Sequence, residues 1–277
     1  MPDLTGKTVV ITGSTSGIGQ AAAERLAAMG ARIVQVARDK SRADAAIAKL
    51  KGSGHTVHLA DLSSLSEMKR VAAEISAAEP RIDILINNAG AMFASRGVTV
   101  DNLERTFAVN HIAYFVLTLG VLKNLTPNAR IVSTSSDAHR IKNLDFDDLQ
   151  SEKRYRSISA YGKSKLANIL FTRELARRVK TGITANCLHP GFVSTRFAQG
   201  NSGLISGSVR FFMKFAAMSP EKGADTIVYL ASSDEVAGKS GGYYSKCKLV
   251  VPSKEAQDNE SADRLWEFTE YLTGVTL

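Results

Sequence analysis

A tyrosine and a lysine stand four residues apart in Tyr161-Gly162-Lys163-Ser164-Lys165, within a run that reads as helix. At that spacing two side chains share one helix face. An ammonium beside a phenol favours the phenolate, so a group with an ordinary pKa of about 10 could exchange a proton nearer neutrality. Tyr-x-x-x-Lys also recurs on ordinary surface helices, so the pair gains meaning only from what precedes it along the chain. Its neighbours are poorer candidates. Tyr155 has Ser159 four residues on, and Lys163 lies two residues from Tyr161, facing elsewhere on the helix. His111 and His189 have neither a paired acid nor a metal set and read as structural or pocket-lining.

The elements that must position this pair alternate along the chain. Short apolar runs at Thr8–Thr12, Arg32–Val36, Thr56–Ala60, Ile82–Ile86, Ala129–Thr134 and Ile183–Leu188 are continuous, as expected of parallel strands covered on both faces. Helical patterns lie between them at about 17–29, 41–51, 64–79, 101–125 and 159–180. Such alternation predicts an α/β fold, a single-domain doubly wound parallel sheet (Rossmann fold) over 1–277 with ligands beyond the strands' C-terminal ends. After Leu188 the rhythm changes. Pro190-Gly191 leads into an apolar segment at 204–218, a helix at about 220–232, a last short strand near Gly242–Ser245 and an amphipathic helix in the final 20 residues.

The first strand runs directly into Thr12-Gly13-Ser14-Thr15-Ser16-Gly17-Ile18-Gly19, which opens a helix at Gln20. Glycines there let backbone approach a pyrophosphate, which the free N–H groups of a helix N-terminus would hold. The second strand ends Val36-Ala37-Arg38-Asp39. An NAD site usually places an acid here on the ribose 2′-hydroxyl. Ala37 occupies that place, and Arg38 suits a 2′-phosphate. NADP is therefore expected, and NAD would be readmitted if Asp39 turned inward. Asp61-Leu62 could present a carboxylate to an adenine amino group or simply precede a helix cap. Asn87-Asn88-Ala89-Gly90 supplies small residues where backbone must pass a cofactor, or an Asn-Gly turn.

In this order the motifs resemble the short-chain dehydrogenase/reductase family over nearly the whole chain. They are Thr-Gly-x-x-x-Gly-x-Gly at 12–19, Asn-Asn-Ala-Gly at 87–90, Ser136, Tyr161-x-x-x-Lys165 and Pro190-Gly191. Within the family the chain is most similar to the retinol dehydrogenase and WW-domain-oxidoreductase group, through Ser133-Thr134-Ser135-Ser136-Asp137-Ala138-His139, Ser164–Phe171 and His189-Pro190-Gly191. The resemblance implies catalytic roles for Asn110, Ser136, Tyr161 and Lys165. Tyr161 would be the acid/base, Lys165 would hold the ribose and lower the phenol's pKa, Ser136 would bond the substrate oxygen, and Asn110 would hold a relay water. It implies a cofactor cradle of Gly13, Ser14, Ser16, Gly17, Ile18, Gly19, Arg38, Asp61, Leu62, Asn88, Ala89, Gly90, Tyr161, Lys165, Pro190, Gly191, Val193 and Thr195, with Thr195 on the nicotinamide carboxamide. Ser135 competes with Ser136, because neighbours in an extended strand face opposite sides. The 25 positions from Ser136 to Tyr161 include residues 137–158, expected as a loop beside the substrate entrance, either solvated or specificity-bearing.

Composition limits the alternatives. The chain has 277 residues, 44% apolar, 22% charged, with net charge +8. That charge suits an anionic ligand or surface, but the basic residues are scattered and no nucleic-acid motif occurs. Two cysteines without CxxC spacing argue against a disulfide framework or zinc site, and no metal is expected. A polar N-terminus and the lack of a long uncharged apolar run predict no signal peptide and no transmembrane segment, hence a cytoplasmic protein. Residues 196–218 are expected to form an apolar flap over a small lipophilic substrate. A helix packed into the core or an oligomer interface, and an interfacial helix touching membrane, are the competing readings of Leu204–Met218. The leading expectation is an NADP-dependent oxidoreductase acting on a lipophilic alcohol/aldehyde or ketone. A reductase of a conjugated double bond and a non-catalytic nucleotide sensor or scaffold are the alternatives, and a homo-oligomer is the family-level expectation.

Overall fold

The computed structural model describes residues 2–191 and 219–277. Eight strands form one sheet, β1 (Thr8–Thr12), β2 (Arg32–Ala37), β3 (Thr56–Leu59), β4 (Ile82–Asn87), β5 (Leu125–Thr134), β6 (Thr184–His189), β7 (Tyr243–Ser245) and β8 (Lys248–Leu249). Their order is β3-β2-β1-β4-β5-β6-β7-β8, so the chain reverses its direction of travel between β1 and β4. Every pairing is parallel except β7 with β8. In such a sheet the crevice beyond the C-terminal ends of β1 and β4 is the place for a ligand.

The helices are α1 (Gly17–Ala28), α2 (Lys40–Ile47), α3 (Leu65–Ala78), α4 (Arg105–Phe107), α5 (Ala113–Val121), α6 (Ser157–Arg178), α7 (Pro220–Ser232) and α8 (Asn259–Thr273). The core divides at the sheet. Leu26, Ala22, Ile227 and Leu230 of α1 and α7 pack on one face. Met68, Val71, Phe115, Leu170, Phe171 and Trp266 of α3, α5, α6 and α8 pack on the other. The residues of β1 and β4 between them are buried on both sides, which explains their unbroken apolar runs. By contrast β3, expected to be covered in the same way, is an edge strand with Thr56 and Leu59 exposed and Val57 and His58 half-buried.

The expected helix over 101–125 takes a different form. Its start is delayed to Arg105, because Asn102 adopts φ +59° and Glu104 caps the helix, accepting from Thr106 N and Phe107 N at 2.7 and 2.8 Å. A π-helical segment, Ala108–Ile112, joins α4 to α5. The stretch Arg105–Asn124 is long and apolar enough to cross a membrane, but 72% of its 18-residue apolar window is buried inside the fold, as befits a core helix. β5 begins at Leu125 rather than Ala129, with a register irregularity opposite Ile82–Ile84. β7 lies where the last short strand was expected, but its antiparallel return as β8 was not legible, since the turn rests on positive φ at Lys246 and Cys247, neither a glycine. Residues 137–158 are partly ordered by a 3-10 turn, Asp137–Arg140. Buried Lys163 ties this segment down, donating to Asp148 O at 2.9 Å and Ser151 Oγ at 3.3 Å.

Candidate active site

At the end of β1 the chain turns through Gly13 at φ +69°, where an added Cβ would meet Ala89 Cα at 2.7 Å. Gly19 in the first turn of α1 is equally constrained, its Cβ falling 2.3 Å from Gly13 O and 2.4 Å from Asn88 Nδ2. Only bare backbone lets β1, α1 and the β4 end come this close. Gly17 opens α1 behind Ser16, whose extended backbone brings no side-chain cap. The first N–H groups of α1, at Gly17, Ile18 and Gly19, are thereby left to an anion, with the helix dipole in its favour. Ser14 Oγ is buried and has no hydrogen-bond partner among the described residues.

Asn88 holds the crevice together. Its Nδ2 donates to Thr12 O and Gly13 O at 3.1 and 3.2 Å, and its Oδ1 accepts from Thr134 Oγ1 at 3.3 Å. Thr12 Oγ1 in turn accepts from Asn88 N and Ala89 N, both at 2.9 Å. Farther along, Arg38 is exposed and makes no ion pair among the described residues. Asp39 is committed elsewhere. Its carboxylate caps α2, accepting from Arg42 N at 2.9 Å. Asp61 is similarly occupied, accepting from Ser63 N and Ser63 Oγ at 2.9 and 2.8 Å, while Leu62 is buried.

The proton-transfer candidates meet beyond the ends of β4 and β5. Lys165 is buried, donates to Thr134 O at 3.0 Å, and lies 5.6 Å from the Tyr161 ring centre. Tyr114 OH at 3.5 Å and Asn168 Nδ2 at 3.2 Å donate to the same carbonyl. Neither residue was singled out from sequence, although Asn168 lies one helical turn beyond Lys165. Ser135 and Ser136 diverge as strand neighbours should. Ser135 Oγ donates backward to Lys165 O at 2.7 Å, whereas the Ser136 side chain acts on the Tyr161 phenol, lowering its pKa as a polar neighbour. Ser136 Oγ also accepts from Ala138 N at 3.2 Å, which leaves its hydroxyl hydrogen for an oxygen facing it.

Asn110 sits in the π segment with its amide fully engaged. Its Oδ1 accepts from Ala91 N at 2.7 Å, and its Nδ2 donates to Ala91 O and Ser164 Oγ, both at 2.9 Å. A Cβ on Gly90 would fill the gap there, 3.3 Å from Asn110 Oδ1 and 3.4 Å from Lys165 Nζ. Pro190 and Gly191 follow β6, with Gly191 N donating to His189 Nδ1 at 3.2 Å. Val193, Thr195 and the segment at 196–218 lie outside the described residues. His111 is buried between Phe107 and Phe171, and its Nε2 lies 3.0 Å from Thr269 Oγ1.

The electrostatics differ from the simple Tyr–Lys argument. Burial pushes the Tyr161 phenol up to about 12, and the Ser136 side chain opposes this. Burial draws the Lys165 ammonium down to about 7. At this phenol desolvation is the larger influence, and attraction to Lys165 does not reverse it. The bare crevice at Gly13, Gly19 and Gly90, the free N–H groups of α1 and the sparsely bonded Lys165 ammonium all fit a dinucleotide. Among the described residues no cluster of metal-ligating side chains occurs.

The profile of the short chain dehydrogenases matches residues 7–203. Retinol dehydrogenase 14 of Mus musculus is 40% identical over 98% of this chain and 86% of its own. A Streptomyces sp. (strain C5) protein, DnrU, provisionally named a daunorubicin C-13 ketoreductase, is 40% identical over 99% of this chain and 94% of its own. A short chain dehydrogenase from Burkholderia cenocepacia J2315, solved in complex with NADP, superposes with a TM-score of 0.69 at 28% identity, covering 87% of this chain and 96% of that one. Fold and similarity together define an oxidoreductase of the NAD(P)-binding class that acts on CH–OH and C=O groups. The chain belongs to the short chain dehydrogenase family and is related to the retinol dehydrogenases.

Proposed function

We propose that this protein is an NADP-dependent oxidoreductase that transfers a hydride between nicotinamide and a lipophilic alcohol/aldehyde or ketone, with Tyr161 as the acid/base. The observation that carries the reading is the Tyr161 ring with its centre 5.6 Å from Lys165 Nζ, a buried lysine held on Thr134 O at 3.0 Å. A binding module has no use for a desolvated phenol and ammonium placed together. In this reading the chain acts as one NAD(P)-binding unit.

When bound, NADPH supplies the hydride to the carbonyl carbon and is oxidised to NADP+. Tyr161, protonated at neutral pH, gives its phenolic proton to the carbonyl oxygen, and Ser136 donates a hydrogen bond to that oxygen. The α1 N-terminus and the 13–19 turn hold the pyrophosphate. Lys165 takes the ribose hydroxyls, and Asn110 fixes the Gly90–Ala91 wall that leaves room for them. Arg38 is free for a 2′-phosphate, and the Asp39 carboxylate that could have favoured a 2′-hydroxyl is spent on capping α2. The lipophilic substrate class is supported by the two relatives named for retinol and for a daunorubicin ketone.

The test follows absorbance of the reduced cofactor while the protein is offered aldehydes, ketones and enones, with NADPH and NADH in parallel. Turnover with carbonyls and a preference for NADPH are expected. Oxidation only with enones would move the reaction to a double bond, and tight NADPH binding without turnover would sink the enzyme reading. Tyr161→Phe should reduce kcat at least about 1,000-fold, within the scale of general acid catalysis combined with lost orientation, while cofactor affinity stays within about twofold. Retained activity in that variant would remove Tyr161 from the mechanism.

A further inference from the structure

One buried histidine close to the site takes no part in the chemistry above. His139 lies three residues after Ser136, in the 3-10 turn, and is 1% exposed. Its two ring nitrogens have different partners. Nδ1 is 2.8 Å from Ser136 O, and Nε2 is 3.1 Å from Ser253 N. A backbone N–H can only donate, so Nε2 must be the unprotonated acceptor. Nδ1 then carries the hydrogen and donates it to the Ser136 carbonyl. These two bonds assign the neutral Nδ1–H tautomer, and burial holds the imidazole below its ordinary pKa.

Ser136 is thereby held at three points. Its carbonyl accepts from His139 Nδ1 and from His139 N at 3.1 Å, and its Oγ accepts from Ala138 N. Tyr243 stands edge-on to the ring at 5.2 Å between centres, with its OH 3.5 Å from Nδ1 as a second and longer partner than the Ser136 carbonyl, and it stacks on His189 at 5.9 Å. The far anchor, Ser253, belongs to the segment after β8, and Arg140 reaches the same segment through Val251 O at 2.9 Å. The imidazole therefore braces the Ser136 turn against the chain's C-terminal part.

We propose that His139 is a positioning residue for the reaction. By donating from Nδ1 to the Ser136 carbonyl it fixes the orientation in which the Ser136 hydroxyl meets Tyr161 and the substrate oxygen. Hydroxyl aim matters because a displacement of about 1 Å can cost on the order of 100-fold in rate. This role rests on the proposed carbonyl-reductase reading.

Two isosteres separate the functions of the ring. Asn places an amide N–H where Nδ1 stood, and Gln places a carbonyl where Nε2 stood. With NADPH and decanal as probes, His139→Ala should lose about tenfold or more in kcat at nearly unchanged NADPH affinity. His139→Asn should return to within about threefold of the parent, and His139→Gln should remain as slow as the alanine variant. Thermal denaturation of all three accompanies the kinetics. Equal rates for Asn and Gln, or rates that follow Tm alone, would overturn the proposal and leave His139 a packing residue. Should the alanine variant not fold, the Asn/Gln comparison decides. Nitrogen-15 NMR of the imidazole is a readout that needs no substrate. An Nδ1–H tautomer is expected, and an Nε2–H tautomer would refute the geometry even if the parent protein turned over nothing. Absence of turnover in the parent, with the expected tautomer present, instead refutes the carbonyl-reductase reading on which this role depends.

Discussion

At the residue scale, Lys165 carries the sharpest consequence. An ammonium buried against one carbonyl is poorly solvated, and its folded pKa falls from 10.5 to about 7. Between those values the unfolded chain holds a proton that the folded chain has released. Stability from this group therefore rises with pH from about 7 toward 10.5, and the charged form is a cost below about 7. Urea denaturation of the cofactor-free protein should show the parent gaining on Lys165→Met as pH is raised from 7 to 9. A constant difference between the two would show that Lys165 stays charged in the fold. The raised phenol has a complementary effect on direction. Tyr161 is a ready proton donor at pH 7, so reduction should proceed near neutrality, whereas alcohol oxidation should accelerate as pH rises toward deprotonation of that phenol. The Tyr161/Lys165 pair was visible from spacing, but its protonation balance was not, because desolvation depends on neighbours such as Tyr114 that lie far away in sequence.

At the scale of elements, the strands were legible because burial on both faces leaves unbroken runs such as Thr8–Thr12 and Ile82–Asn87. Ser135 and Ser136 could not be separated from sequence on chemistry alone, and it is the alternation at the end of β5 that sends one hydroxyl to α6 and the other toward Tyr161. The π segment left no signal, since widening a helix by one residue changes neither composition nor apolar periodicity at this length. It is nevertheless the element that presents Asn110 to Ala91. The amphipathic reading of α8 finds its reason in Trp266, buried against Phe115 and Phe171 at 4.9 and 5.9 Å and covered by Arg178 at 4.8 Å. Arg178 also pairs with Glu174 at 2.5 Å and with Asp263, so α6 and α8 are joined by charge over an aromatic centre. Trp266→Ala should cost about 3–5 kcal/mol, the range for emptying a large aromatic site, read as a lower urea midpoint. A loss below about 1 kcal/mol would mean that α8 is not integral to this core.

At the scale of the whole molecule, the cofactor crevice draws on stretches far apart in the chain, so binding should couple to global stability. A ligand at 100 times its Kd stabilises a fold by about 2.7 kcal/mol. NADPH should therefore raise Tm by several degrees, and NADH at the same concentration by less. The difference belongs to Arg38, exposed at the end of β2 with Asp39 turned away to α2. Arg38→Ala should weaken NADPH binding about tenfold or more, equivalent to about 1.4 kcal/mol, and leave NADH within about twofold. Salt offers an independent check. An exposed guanidinium acting on a phosphate is screened over about 10 Å at 0.1 M salt, and a net charge of +8 adds a favourable background for any anion. Raising salt should thus erode the NADPH advantage in the parent more than in Arg38→Ala, whose residual response reports the background alone. Equal protection by NADPH and NADH in the parent, at low salt, would assign the pocket to a cofactor without the 2′-phosphate and take the argument from Ala37 and Arg38 with it.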